Sequence, residues 1–163
     1  MAFDLALFVI DKRLEATGGP SILGLEFAGT SDRGAEIMAE WGAHGCYLAR
    51  LSLLIDFGFM VAYGTFLALA ALATRDFARA RGLRSLAAAG IAAPAFALAA
   101  ALLDATENIL WLLLLAGHGG EAGPRVASAC ASMKFLLVAV TILYIAWGLI
   151  SRLLRRGPLP SEW

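Results

Sequence analysis

Three long apolar stretches, residues 51–74, 85–116 and 126–151, are each interrupted by charged side chains at what should be one depth in a membrane. Asp56 interrupts the first, Asp104 and Glu107 the second, and Lys134 the third. A bilayer interior penalises each such group by roughly 2.5–3.5 kcal/mol even on lenient insertion scales, so the four are expected to face protein or water and to be paired. This combination admits few folds. Apolar segments of about 20 residues or more span as helices, because a helix satisfies its own backbone in lipid.

Composition agrees with that class. With 60% hydrophobic and 16% charged residues over 163 positions, the chain is more apolar than an ordinary soluble domain and has room for three or four spans with short connections. The expected architecture is an all-α integral membrane bundle forming a single domain over 1–163. Its parts are an N-terminal helical region over 1–45, transmembrane helices over 46–74, 85–116 and 126–151, and a tail over 152–163. The formal net charge is zero and the basic residues cluster at membrane edges, so nucleic acid is excluded as a partner.

Charge placement orients the bundle. Arg75, Arg79, Arg81 and Arg84 lie between the first two spans, and Arg152, Arg155 and Arg156 follow the last. By the positive-inside rule both groups are cytoplasmic, which puts the C-terminus inside and the 117–124 loop outside. Arginine outnumbers lysine 11 to 2, a bias of GC-rich bacterial genomes, so the expected location is a bacterial cytoplasmic membrane.

The first 45 residues divide at glycines. Residues 2–16 read as a short helix ended by Gly18, Gly19 and Pro20. Asp4, Asp11, Lys12, Arg13 and Glu15 make it a poor span, and an interfacial helix is the plainer reading. The alternative is a short or broken fourth span, completed by the mostly apolar run 22–28, which would return an N-terminus to the cytoplasm. Thr30 or Ser31 can cap a helix over 32–41, with Ile37, Met38 and Trp41 on one side and Glu36 and Glu40 on the other. Gly42 and Gly45 then allow a corner into the first span.

Small residues Gly58, Ala62 and Gly64 are expected to pack against the alanine-rich stretch 87–101. Pro94 predicts a bend near residues 90–94. Trp111, Tyr144 and Trp147 fall where aromatic belts are found.

Folding consecutive helices back about their loops sets Asp56 level with Asp104, and Glu107 level with Lys134, within a register error of a few residues at about 1.5 Å each. Asp104, Glu107, Asn108 and Trp111 fall at i, i+3, i+4 and i+7, one face of a helix. Tyr63 shares the face of Asp56, and Cys130 and Thr141 lie near that of Lys134. A polar pocket in the outer half of the bilayer results. Glu107 with Lys134 is the preferred ion pair. Asp56 and Asp104 then form a coupled couple, unless an acid finds a further base such as Arg50.

Several chemistries lack their residues. There is no Glu-x-x-His pair for a carboxylate-bridged di-iron site, and only His44 and His118, both near the outer surface, are available to ligate a haem. No Gly-x-Ser-x-Gly elbow or phosphate-binding glycine loop is present. Cys46 and Cys130 do not form a Cys-x-x-Cys motif and read as two independent small apolar residues. No metal and no cofactor are expected. The functional expectation is a small non-enzymatic membrane protein that packs beside a larger complex or a second copy, or holds an amphiphilic small molecule. One alternative is a membrane enzyme acting on a lipid-like substrate, with Asp104 or Glu107 as acid or base and Lys134 or Tyr63 stabilising developing charge. The other is a component of proton-coupled transport.

Overall fold

A computed structural model describes residues 2–118 and 120–154. Arg155, Arg156 and the rest of the tail lie outside them. The structure is 86% helical with no strands among the described residues, which settles the class as all-α. The helices are α1 (Ala2–Glu15), α2 (Ile22–Glu26), α3 (Ser31–Ala80), α4 (Arg84–Ala89), α5 (Ala93–Leu115) and α6 (Ala122–Leu154). Three stretches, Ser31–Ala80, Arg84–Leu115 and Ala122–Leu154, are long and apolar enough to cross a membrane. Only 22%, 28% and 22% of their most apolar windows is buried inside the protein, so most of that apolar surface is left for a lipid solvent. Val61, Phe66, Leu102 and Leu143 are among the large apolar side chains left outside.

The chain forms two compact units. The first comprises residues 1–62 and 101–134, the second 63–100 and 135–163.

In the first unit, α3 begins as a separate surface segment. Thr30 Oγ1 accepts the Arg33 N–H at 3.2 Å, the expected N-cap, and the helix then buries Ile37 and Trp41 while leaving Glu36 and Glu40 exposed. Gly42 breaks it at φ 62°, ψ −170°, a conformation essentially reserved for glycine, and the chain turns into the long apolar portion. The predicted corner is therefore present at the predicted residue.

α1 packs along α3. Its 14 residues reach about 21 Å, too short to span. They run antiparallel along the first part of α3, with Phe3 against Gly58 and the following Thr17 against Gly45. Phe3, Ile10, Leu14 and Thr17 form one stripe at helical spacing, and the glycines of α3 let that stripe approach closely. Ile10 and Leu14 join Leu48, Ala49 and Leu53 in the core. Gly58 thus receives α1 rather than the alanine-rich helix, and Ala62 is exposed.

In the second unit, Ala68 packs with Ala97, and Ala71 and Ala78 pack with Leu86, Ala93 and Tyr144. The close pairing of small residues is real, but it is carried further along α3 than Gly58 and Ala62. The expected single helix over 85–116 is two, because residues 90–92 separate α4 from α5. Pro94 sits in the first turn of α5, where its missing N–H costs no hydrogen bond, so it starts a helix instead of bending one. Tyr144 is buried against Gly90 and is not a belt residue, whereas Trp147 is exposed.

Candidate functional site

All the charged positions singled out in the apolar stretches meet in the first unit. Lys134 of α6 is their centre. Its Nζ lies 2.6 Å from Asp104 Oδ1 and 2.8 Å from Glu107 Oε2, both on α5. The Asp104 contact is a hydrogen bond; the Glu107 contact is ionic without hydrogen-bond geometry. The predicted Glu107–Lys134 pair is present, but Lys134 also binds Asp104.

A third carboxylate arrives from outside the spans. Glu26, the last residue of α2, places Oε2 3.4 Å from Lys134 Nζ. It was absent from the sequence-derived set, although it is the sole charge in the run 22–28, the same signal that marked the other four. Its position is fixed from both ends of α2. Asp11 Oδ1 accepts the Ile22 N–H at 2.8 Å at the start, and at the finish Ser128 Oγ donates to the Glu26 carbonyl at 2.6 Å and accepts the Gly29 N–H at 3.0 Å. Trp41 Nε1 donates to the Pro20 carbonyl at 2.8 Å and pins the loop before α2. Burial pushes the Glu26 carboxyl above its ordinary range, with Lys134 pulling it the other way.

Asp56 joins through Asn108. Asn108 Nδ2 donates to Asp56 Oδ2 at 2.8 Å and to the Leu53 carbonyl at 3.3 Å, so one amide ties α5 to α3 twice. Asp56 is thus held by Asn108, and Asp104 by Lys134. Arg50 does not serve as the extra base: its guanidinium donates to the carbonyl of Leu115, the last residue of α5, where a cation also complements the helix dipole.

Lys134, Glu107, Asp104 and Asn108 are 5%, 0%, 4% and 0% exposed. Three carboxyl groups around one ammonium in such a setting make a network whose acids outnumber its base. Trp111, predicted on the same face, is fully buried with Ile37 and Trp41, and its Nε1 has no hydrogen-bond partner. It belongs to the core and not to an aromatic belt. Tyr63 lies in the second unit beside Leu67, Ala68 and Ala97, and Thr141, also in that unit, donates to the Leu137 carbonyl. Cys46 and Cys130 are free thiols. His44 and His118 are exposed. Among the described residues no group of three or more His, Cys, Asp or Glu side chains has the arrangement of a metal site.

A cleft of about 200 Å³ opens beside this network. Leu7 and Phe8 of α1 and Ile22 and Leu23 of α2 form its apolar walls, with Leu53 of α3, and Asp11, Glu26, Ser52, Asp56 and Asn108 are its polar lining. Asp104, Glu107 and Lys134 do not line it. No protein-family profile, no curated protein and no solved structure matches this chain. The chemistry of the site therefore carries the functional argument.

Proposed function

We propose that this is a small non-enzymatic integral membrane protein that holds an amphiphilic small molecule in the cleft between α1, α2 and the first span. The observation that carries the reading is the cleft itself: apolar walls with exposed Phe8 and Leu23, ending on buried polar groups. An amphiphile matches that division, its chain on the walls and its head on the lining. The positive-inside pattern supports an orientation with the cleft in the outer half of the bilayer and the C-terminus cytoplasmic, and the composition fits a bacterial cytoplasmic membrane.

The network behind the cleft reads as a cross-link. Lys134 joins α6, α5 and α2, and Asn108 joins α5 to α3. Asp104 and Glu107, the candidate acid or base, are engaged with Lys134 and lie behind the lining, which supports binding over acid–base catalysis.

Native mass spectrometry of the protein extracted gently from its own membrane, with released small molecules identified, tests the reading. One amphiphile retained per chain, and lost from a variant with a blocked cleft, is expected. Reproducible co-purification of larger subunits with no retained small molecule would replace ligand binding by an accessory role.

A further inference from the structure

We infer that the occupant of the cleft is a cationic amphiphile, a protonated primary amine carried on one apolar chain. The inference rests on the ligand-binding reading above and names the chemical class of the ligand.

Charge complementarity comes first. Three carboxyl groups line the cleft: Asp11, Glu26 and Asp56; among the described residues no lysine, arginine or histidine lines it. The one base behind the lining, Lys134, is shared among Glu26, Asp104 and Glu107. A carboxylate or phosphate head would meet three acids and no cation among the described lining residues. A neutral head would leave their excess uncompensated, whereas an ammonium reduces it.

Asn108 supplies the second, independent observation. It is fully buried and lines the cleft, and both its bonds, to Asp56 and to the Leu53 carbonyl, are made by the amide nitrogen. Those two acceptors fix which end is nitrogen. Its Oδ1 is buried with no donor from the protein, an unfavourable state for a polar atom. Any group that pairs with this oxygen donates a hydrogen bond. A primary ammonium brings three N–H donors and a positive charge together; a quaternary ammonium brings the charge alone.

The walls set the tail. A volume of about 200 Å³ takes an amine head and the first part of a chain, and the remainder leaves past Phe8 and Leu23, which are 59% and 48% exposed. A single flexible chain fits this exit.

The test uses the full chain in phosphatidylcholine nanodiscs, titrated calorimetrically with four probes of equal chain length: octylamine, octyltrimethylammonium, octanol and octanoate. Empty nanodiscs give the partition background. Octylamine is expected to bind saturably at one per chain, about tenfold or more tighter than octyltrimethylammonium or octanol, with octanoate not saturating. Asp56→Asn and Glu26→Gln should each weaken octylamine about fivefold or more, and Leu23→Trp, a change on the exposed rim, should block it with the unliganded melting temperature unchanged. Octanol or octanoate binding as tightly as octylamine would overturn the cationic assignment while leaving an amphiphile site standing. No saturable binding by any probe would overturn both. Octylamine binding indifferent to Leu23→Trp and Asp56→Asn in folded protein would place the amine elsewhere and sink the inference.

Discussion

Lys134 contacts three acids at once, and that ratio decides how substitutions at each member behave. Removing the lysine leaves Asp104, Glu107 and Glu26 buried together without a base, the situation in which breaking a buried pair costs about 3–5 kcal/mol. Lys134→Met should therefore lower the unfolding temperature sharply, as measured by thermal melts in mild detergent. Glu26→Gln should be nearly neutral or stabilising, because Lys134 retains Asp104 at 2.6 Å and Glu107 at 2.8 Å while the excess of acid falls. A charge-neutral double change, Glu107→Gln with Lys134→Met, should not restore stability, since Asp104 and Glu26 stay without their cation. If that double variant melts like the parent, the three-acid network is not what holds these elements together. The spacing of Asp104, Glu107, Asn108 and Trp111 made the α5 face legible in the sequence, and hairpin arithmetic brought Lys134 to it. Glu26 escaped because such arithmetic counts only spans, and α2 is placed by Asp11 and Ser128, contacts that no local pattern encodes. Trp111 was legible as to face but not as to company: the segment covering it is held by the corner at Gly42, and its neighbours Ile37 and Trp41 are some seventy residues away in the chain.

Among the elements, the corner in α3 and the docking of α1 carry the most consequence, since they bring the walls of the cleft to its polar lining. Gly42 holds φ 62° with open space where a Cβ would go, so the cost of Gly42→Ala is conformational rather than steric, about 1–3 kcal/mol. The same change at Gly123, helical and likewise open but crowded by the ring of the following Pro124, should cost less than at Gly42. Equal effects of the two in denaturant or thermal melts would contradict the strained corner. For α1 the decisive position is Gly58, where an added Cβ would stand 2.5 Å from the Phe3 ring. Gly58→Leu should lift the start of α1 and speed hydrogen exchange over residues 5–12 while leaving residues 103–112 protected. The two breaks were readable from glycine, yet the role of Gly58 was not, because a small residue announces a close approach without naming what approaches. Pro94 shows the same limit from the other side: proline marks a discontinuity, and only the break at 90–92 shows that it begins a helix.

At the scale of the whole molecule, three helices are long and apolar enough to cross a membrane, and the charges at their ends predict an orientation that can be tested. Arg75, Arg79, Arg81 and Arg84 fall within ten residues, from the last turns of α3 to the first residue of α4, whereas the described part of the loop before α6 carries Glu121 and the nearest arginine is the single Arg125 at the start of that helix. Short loops rich in arginine are retained on the cytoplasmic side. With Cys46 and Cys130 first replaced by alanine, cysteine at Arg84 or Glu121, both exposed positions, reports the outcome. Glu121→Cys should react with a membrane-impermeant maleimide in intact cells, and Arg84→Cys only after the membrane is opened. The reverse pattern would move the Lys134 network and its cleft to the inner half of the bilayer, and with them the leaflet from which a ligand enters. Reaction of both in intact cells would mean that the segment between them, Arg84–Leu115, does not cross, and its exposed Ile91, Leu98 and Leu102 would then need a protein partner in place of lipid.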